Sequence, residues 1–424
     1  MLTNFLTKCF RSYYAGNSSQ FIFTKEKTPV FPEEKIQNIH LYIHIPFCQN
    51  TCPYCPYNKI ELQLDLADSY FIALHREINL YRQALGEISI KSIYFGGGSP
   101  AILPDKIVKI IDHLKQCFKI EGDICIELNP NDCNIERLNL LKAAGIKVVS
   151  IGIQSFQDKY LSIIGRNYNS IQAENALIAA KSIFDVVNVD LMFALPEQNK
   201  HNIITDIEKA IELNADQITT YPLFTFPYSA VGRYRKISQV KMPNLRQRKE
   251  QYYTIYDKLT SNDFKQASVW SFKKSDNRTY SSVTREGYLG LGAGAGTHFS
   301  NGFFLNTFSV YSYIDSLNEN RYPTALKFKL NDNLDKLFWL YWRFYDSRIP
   351  IADFNLKFSE NYKVKRLISF FTKTGLLLKS DYEYILTRKG SFWLHLGQNY
   401  FSLGYINKIW SKALKNDFPE KIHF

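Results

Sequence analysis

The stretch Leu41–Lys59, LYIHIPFCQNTCPYCPYNK, contains the tightest group of cysteines in this chain. It begins with a β-rich run and continues into a loop whose three cysteines, Cys48, Cys52 and Cys55, have the spacing C-x3-C-x2-C. Cysteine thiolates are the usual ligands of iron–sulfur clusters, so three thiolates this close can bind one four-iron cube. One iron of such a cube has no protein ligand and can bind a small molecule.

Two other interpretations of these cysteines are less favoured. Zinc normally takes four ligands, and His44 lies nearby only on the preceding strand, at the wrong spacing. A chance grouping of structural cysteines is unusual in a loop that contains Pro53 and Pro56. We therefore predict that the three cysteines are the metal ligands and the catalytic centre.

Beyond this stretch, short β-rich runs alternate with segments of helical period, which is typical of βα units around a parallel sheet. The predicted strands are Leu41–Ile45, Ser92–Phe95, Asp123–Leu128, Val148–Ile153, Val186–Phe193 and Gln217–Phe224. The predicted helices between them are Ser69–Ala84, Asp105–Phe118, Ile135–Ala144, Ile171–Phe184 and Ile203–Leu213. Asn134 is expected to cap the third helix, and Gly145 to end it. Six repeats predict an α/β fold, a (β/α)6-type partial TIM barrel.

The pattern changes after the last of these strands. A charged helical stretch, Asn244–Thr260, precedes a glycine-rich segment that ends at Gly296. Further elements are predicted at Leu334–Tyr345, Val364–Phe371, Tyr382–Leu386 and Phe392–Ile409, of which the third is a strand. We predict an irregular N-terminal arm (1–39), a core with a post-barrel extension (40–324) and a helical, winged-helix-like accessory domain (325–424).

Composition excludes several classes of protein. The chain has 424 residues, of which 45% are hydrophobic and 22% charged, as in globular proteins. No apolar run reaches the roughly 18 residues of a membrane span. The net charge is +12, but Lys and Arg are scattered, so we expect no nucleic-acid partner, whereas an anionic ligand fits. The close cysteines and the odd total of 7 argue against a disulfide framework, and no signal peptide is evident, so we expect a cytoplasmic protein.

Polar residues mark the ends of the predicted strands. Glu127, Gln154 and Asp190 lie at or near the carboxyl ends of three apolar strands, where ligands bind in parallel sheets. Arg166 follows in IGRNY, where its guanidinium could bind a carboxylate through two hydrogen bonds. Each residue taken singly is also compatible with a hydrogen-bonded core position, or for Arg166 with the surface. Several at equivalent strand ends favour a ligand site.

The glycine-rich YFGGGSP, residues 94–100, follows the second predicted strand. Consecutive glycines let a ligand approach the backbone and leave amide donors free, although a plain tight turn explains the same pattern. A second such segment, YLGLGAGAGTH at 288–298, has the wrong spacing for a dinucleotide fingerprint, so we expect close packing beside the site.

The combination C-x3-C-x-Φ-C, with Tyr54 before the last cysteine, resembles the radical S-adenosylmethionine (SAM) superfamily. YIHIPFC is similar to the branch of oxygen-independent coproporphyrinogen III oxidase, the related haem chaperone and the class C methyltransferases. The resemblance implies a [4Fe–4S] cluster and one or two SAM molecules. It implies that a first SAM contacts Tyr42, Gly97 and Glu127, with Gly296 near the adenosine. It implies that a second SAM contacts Tyr54, Gly98, Ser99, Gln154, Arg166 and Asp190.

The chain departs from the coproporphyrinogen enzyme at one position. The resemblance implies the motif C-x3-C-x2-C-x-C for that enzyme. In this chain Pro56 and Tyr57 follow Cys55, so the fourth cysteine is absent. This difference puts oxidative decarboxylation of coproporphyrinogen III in doubt. The resemblance implies a small planar conjugated substrate, such as a tetrapyrrole or quinone, and a flavodoxin- or ferredoxin-type electron donor. Methyl transfer, decarboxylation and haem carriage without turnover stay open.

The remaining polar and sulfur-containing candidates carry weaker expectations. We interpret the other cysteines as structural, and several side chains are equally suited to a substrate pocket or to the core. The cysteines are Cys9, Cys117, Cys125 and Cys133, and the pocket candidates are Trp270, Tyr280 and His298.

Overall fold

The computed structural model describes residues 12–14, 21–29, 31–32, 36–224, 242–274 and 286–423. Cys9 and Tyr280 lie outside these residues. The described strands are β1 (Ile22–Lys25), β2 (Asn38–Ile45), β3 (Phe47–Cys48), β4 (Ile60–Glu61), β5 (Ser89–Gly97), β6 (Lys119–Ile120), β7 (Ile124–Leu128), β8 (Ile146–Gln154), β9 (Val186–Phe193), β10 (Gln217–Pro222), β11 (Lys265–Gln266), β12 (Ser271–Lys273), β13 (Tyr288–Leu291), β14 (Gly296–Phe299), β15 (Gly302–Asn306), β16 (Thr324–Lys329), β17 (Arg348–Pro350), β18 (Leu377–Lys379), β19 (Glu383–Leu386) and β20 (Lys421–His423).

The described helices are α1 (Leu64–Leu85), α2 (Pro104–Cys117), α3 (Ile135–Ala143), α4 (Asp158–Ile163), α5 (Ser170–Ile183), α6 (Lys200–Glu212), α7 (Leu245–Thr260), α8 (Val310–Asn318), α9 (Asp332–Tyr345), α10 (Ile351–Lys357), α11 (Tyr362–Lys373) and α12 (Arg388–Ala413). None of them is long and apolar enough to cross a membrane.

Six parallel strands form the centre of the molecule. β2, β5, β7, β8, β9 and β10 lie side by side in chain order, and helices connect each strand to the next. Their outward side chains pack against the apolar faces of the helices in one large core. The predicted α/β fold with a (β/α)6-type partial barrel is confirmed.

Helix α3 shows how local sequence sets these boundaries. The Asn134 side chain accepts a hydrogen bond of 2.9 Å from the backbone N–H of Arg137. Gly145 follows the helix with a φ of +104°, a conformation that glycine adopts without steric cost. Both predicted helix signals are confirmed.

The glycine-rich segment extends the barrel. β13 pairs in parallel with β2 on the side away from β5, and β14 to β16 continue the sheet antiparallel. A Cβ on Gly290 would lie 2.0 Å from the carbonyl oxygen of Gly296, so the predicted close packing is confirmed. Fully buried Glu77 on α1 anchors the turn after β13 by accepting hydrogen bonds from the Gly292 N–H (2.8 Å) and the Tyr313 hydroxyl (2.6 Å).

The N-terminal segment differs from the irregular arm that the sequence predicts. β1 lies between β16 and β20 and pairs antiparallel with both. Buried Phe23 and Ile422 join a second hydrophobic core beneath these strands. A four-residue strand carries little periodicity, and its partners lie at the far end of the chain, so local sequence offers no signal for it.

The accessory unit has the predicted helical and winged-helix-like character. α9, α10, α11 and α12 surround a small antiparallel sheet of order β17-β19-β18. Its predicted boundary at 324/325 falls inside β16, which pairs with β15 and β1 of the main sheet. The division into three units stays a proposal, and this pairing favours a boundary near residue 330.

Candidate functional site

A short two-stranded sheet closes the cysteine loop. β3 and β4 pair in parallel, and the N–H of Leu62 donates to the carbonyl of Cys48 over 2.9 Å. Within the loop, the Cys55 N–H donates to the carbonyl of Cys52 over 3.2 Å. Cys48 is buried, the other two are partly buried, and all three thiols are free. The cysteine loop and the strand that leads into it therefore carry three free thiols within residues 48–55.

The thiols influence one another electrostatically. The pKa of Cys48 is raised to about 12, first by burial and then by the neighbouring Cys55 and Cys52, whereas the Ser99 hydroxyl and Lys59 act to lower it. No three His, Cys, Asp or Glu side chains among the described residues are grouped to hold a single metal ion. The fit to a multi-iron cluster therefore rests on the donor set, three free soft thiols within the loop 48–55.

The glycines of the 94–100 segment face the protein itself. A Cβ on Gly98 would lie 2.9 Å from Sγ of Cys48, and one on Gly97 would lie 2.7 Å from the ring of His44. The N–H of Ser99 donates to the carbonyl of Phe47 over 2.8 Å. These glycines are required because the cysteine loop and His44 pack directly against the turn. The turn positions the cysteine loop.

His44 was not predicted as a site residue, yet it connects three parts of the site. Its Nε2 lies 2.8 Å from the carbonyl oxygen of Asn58, which only accepts, so Nε2 carries the proton. The hydroxyl of Tyr42 then donates to Nδ1 over 2.8 Å. Burial lowers the pKa of His44 to about 4, so the ring is neutral. His44 thereby fixes Tyr42 relative to the cysteine loop.

The two barrel carboxylates have separate partners. Glu127 accepts hydrogen bonds from the Tyr94 hydroxyl and, over 3.3 Å, from the Gly97 N–H. Asp190 accepts from Ser150 over 3.0 Å and from Asn188 over 2.8 Å. Burial raises the pKa of Glu127 to about 7 and that of Asp190 to about 6. Both groups therefore change protonation near neutral pH.

Sequence reasoning missed the residues that hold these carboxylates. Glu127 lies beside Ser150, and Ser150 beside Asn188, in the register of the parallel strands. Asn188 is two positions before Asp190, so it shares the strand face that was already predicted to be functional. That signal was available, whereas the contact between Tyr94 and Glu127 depends on the pairing of β5 with β7.

Gln154 and Arg166 lie on another side of the cysteine loop. Gln154 ends β8 with a φ of +70°, and its Oε1 accepts a hydrogen bond of 2.5 Å from the Tyr221 hydroxyl. The Arg166 guanidinium lies 5.6 Å from the ring centre of Tyr54 and 5.5 Å from that of Tyr168. Its Nε is buried and lacks a hydrogen-bond partner in the described part of the chain. This arginine therefore has donor capacity left for a ligand.

A cavity of about 770 Å³ lies beside β2, β5 and β7, and only some of the predicted site residues line it. Tyr42, Gly97, Glu127 and Gly296 line it. Tyr54, Gly98, Ser99, Gln154, Arg166, Asp190 and the three cysteines are not in its wall. The cavity wall thus includes the residues predicted for a first SAM and none of those predicted for a second.

The accessory unit contributes to the cavity. Arg343, Asp346 and Trp410 line it together with Tyr57 and several apolar side chains of the main sheet. The ring of Trp410 packs edge-on against Phe308, with centroids 5.1 Å apart. No sequence signal pointed to these residues, because their approach depends on how α9 and α12 pack against the barrel.

The other candidates have structural surroundings. Cys125 is buried on β7 at the cavity wall, and Cys133 is buried in the loop before α3. Trp270 packs against His395, with ring centroids 4.2 Å apart, away from the cavity. His298 lines a smaller pocket of about 230 Å³. Neither of the described pocket candidates, Trp270 and His298, reaches the larger cavity.

Comparison with known proteins decides the family. The model of the radical SAM superfamily matches residues 42–210. Heme chaperone HemW of Bacillus subtilis is 31% identical over 290 residues, which cover 66% of this chain and 76% of that protein. The chain belongs to the radical SAM superfamily. This radical SAM protein lies in the branch of HemW and oxygen-independent coproporphyrinogen III oxidase, and the family implies a [4Fe–4S] cluster and SAM as cofactors.

Two further relatives and one solved structure are similar to this radical SAM protein over most of its length. HemW of Buchnera aphidicola is 27% identical and covers 84% of this chain and 96% of its own length. Oxygen-independent coproporphyrinogen III oxidase of Bradyrhizobium diazoefficiens is 26% identical and covers 69% of this chain and 70% of its own. The solved structure of coproporphyrinogen III oxidase (HemN) from Escherichia coli superposes with a TM-score of 0.75 over 87% of this chain and 90% of that chain. At 20% identity, the HemN likeness shows the fold alone.

Proposed function

We propose that this protein is an enzyme that cleaves SAM reductively and modifies a planar conjugated substrate in the barrel cavity. When bound, a [4Fe–4S] cluster and SAM supply an electron and a 5′-deoxyadenosyl radical that abstracts hydrogen. The observation that carries the proposal is the placement of Tyr42, Gly97 and Glu127 in one cavity wall, where Gly97 donates to Glu127 and Tyr42 is linked through His44 to Asn58 at the end of the cysteine loop.

In this proposal the cysteine loop holds the cluster and the cavity wall holds the first SAM. Cys48, Cys52 and Cys55 would ligate three irons. Glu127 would face the cationic end of SAM, because its ionised form is held by two donors at the partly buried cavity wall. His44 and Gly97 would fix the distance between the two cofactors.

The second group of residues supports a second SAM site. Arg166 has an unpaired buried Nε and two aromatic neighbours, a setting suited to a carboxylate. Gln154 lies nearby with its side-chain oxygen already bound to Tyr221, which leaves its amide hydrogens for a ligand. If this site takes SAM, methyl transfer becomes the favoured reaction.

The cavity wall supports a planar substrate with polar edges. Its aromatic and apolar residues include Tyr42, Tyr57, Ile93, Tyr94, Val148, Tyr288, Phe303, Leu305, Phe308 and Trp410. Arg343 donates to Asp346 over 3.0 Å, and its Nε is buried without a partner in the described residues. A flat conjugated body against the rings, with an anionic edge near Arg343, matches this lining.

Haem carriage without turnover is the second candidate. The relative at 31% identity is named a heme chaperone. Tyr57 occupies the position at which the resemblance implies a fourth cysteine for the coproporphyrinogen enzyme. A chaperone would use the same cavity for binding alone.

We further propose a flavodoxin- or ferredoxin-type electron donor for the enzyme and a reducing compartment such as the cytoplasm, in which the free thiols persist.

Product analysis separates these functions. The protein would be reconstituted anaerobically, reduced, and incubated with SAM and candidate tetrapyrroles or quinones, with SAM products measured by mass spectrometry. An enzyme gives substrate-dependent 5′-deoxyadenosine. A methyltransferase gives an equal amount of S-adenosylhomocysteine, and Arg166→Ala suppresses both products. A decarboxylase gives 5′-deoxyadenosine alone, and haem binding with only uncoupled background would refute the enzyme proposal in favour of the chaperone.

A further inference from the structure

Lys59 is the cation nearest in sequence to the cysteine loop. It follows Cys55 by four positions and is partly buried where the loop enters β4. Its Nζ donates to the carbonyl oxygen of Cys55 over 2.8 Å. No carboxylate of the described residues forms an ion pair with Lys59, so its charge is directed toward the loop.

The hydrogen bond fixes the charge of Lys59 beside the proposed ligands. Its Nζ is held 2.8 Å from the carbonyl oxygen of Cys55, the last of the three cysteines. A cation held this close favours any added negative charge at the neighbouring sulfur atoms. Cluster reduction adds such a charge, and net charge is one of the factors that set the reduction potentials of iron–sulfur clusters.

We propose that Lys59 is a positioning residue that raises the reduction potential of the cluster held by Cys48, Cys52 and Cys55. This inference rests on the proposed ligand set. Lys59 acts in two separable ways: its hydrogen bond to Cys55 holds the loop, and its charge stabilises the reduced cluster. A protein that must accept an electron before it cleaves SAM gains from a cation fixed at this distance.

Three substitutions separate the charge from the hydrogen bond. Lys59→Arg retains both, Lys59→Gln retains a donor without the charge, and Lys59→Met removes both. Lys106→Gln is the matched control, because Lys106 lies on α2 and pairs with Asp68 over 2.5 Å, on the helices outside the barrel. Each protein would be reconstituted without SAM, and iron per chain would be measured first.

The deciding measurement is an anaerobic redox titration followed by electron paramagnetic resonance. At a fixed solution potential, we expect the ratio of reduced to oxidised cluster to fall about tenfold in Lys59→Gln, a shift of about −59 mV for a one-electron couple. Lys59→Met should shift equally, while Lys59→Arg and Lys106→Gln should match the wild type.

Three outcomes would overturn the proposal. They are an unchanged potential in Lys59→Gln, equal shifts in Lys59→Gln and Lys59→Arg, and loss of iron from a folded Lys59→Gln protein, which would assign Lys59 to loop closure alone. Absence of cluster from the wild-type protein would instead refute the ligand set, so the two failures are distinguishable.

Discussion

Gly165 lies directly against Pro53 of the cysteine loop. A Cβ on Gly165 would be 3.0 Å from Cδ of the proline, and the φ of Gly165 is +70°. Two separate constraints, close approach and left-handed backbone, therefore require glycine at this position. The segment that carries Arg166 is thus built against the loop that carries the thiols.

Gly165→Ala should reduce both stability and iron binding. The added methyl group has to displace Pro53 by a few tenths of an ångström, and the positive φ costs about 1 kcal/mol. Gly375→Ala is the control, since Gly375 has a φ of +69° and nothing within 4 Å of an added Cβ. We expect thermal stability to fall in both variants, further in Gly165→Ala, and iron per chain to fall only in Gly165→Ala. Equal iron contents would show that the loop tolerates the displacement.

The ligand set makes a prediction about colour and iron. The reconstituted protein should hold about four irons per chain, and replacing Cys48, Cys52 and Cys55 together with alanine should abolish the visible charge-transfer absorption. Replacing Cys117, Cys125 and Cys133 should leave the absorption in place. Loss of the cluster from the second triple variant, with far-ultraviolet circular dichroism unchanged, would contradict the assignment.

Binding of SAM should strengthen as pH rises through neutrality. Burial raises the pKa of Glu127 to about 7, so the carboxyl is protonated below that pH and ionised above it. The ionised form attracts the cationic sulfonium and ammonium groups of SAM. Anaerobic equilibrium dialysis should give a Kd for SAM that falls by up to about tenfold per pH unit on the acid side of the transition.

Glu127→Gln should bind SAM weakly at every pH. The control is Asp206→Asn, which alters another buried carboxyl of raised pKa, one that accepts hydrogen bonds from Ser155 and the Phe156 N–H outside the cavity lining. Its pH profile should follow the wild type. A flat wild-type profile would argue against Glu127 as a SAM contact.

Folding stability should depend on pH through Glu77. Burial raises the pKa of this carboxyl to about 7 from an ordinary 4.5, so between these values the native state binds more protons than the unfolded state. Its contribution is therefore fully present below pH 4.5 and is lost as pH rises to 7. Urea unfolding should show the free energy of unfolding of the wild type falling relative to Glu77→Gln by about 1.4 kcal/mol per unit of pKa difference. A constant difference across this range would mean that Glu77 is not the titrating group.

The sequence predicts those elements whose bounds are set by the residues within them. The strand Val186–Phe193 was placed at its observed bounds because a continuous apolar run between loops is a local signal. For residues 288–298 the sequence predicts close packing but not the strand β13, because its partner β2 lies far away in the chain. Among site residues, Glu127 and Asp190 were visible as polar residues in apolar strands. The sequence does not predict Arg343 and Trp410 as site residues, because the pattern of an amphipathic helix does not indicate which face of the barrel the helix packs against.

The pairing of β1 with β16 and β20 has a consequence for synthesis of the chain. The side chains of Lys25 and Glu420 hydrogen-bond across this pairing, although they lie 395 positions apart in sequence. A ribosome releases β1 long before β16 and β20, so both edges of β1 stay unpaired while the barrel can already form. Exposed strand edges attract other chains. Slow translation of the final third therefore lengthens the period in which the nascent protein is open to association with a second copy.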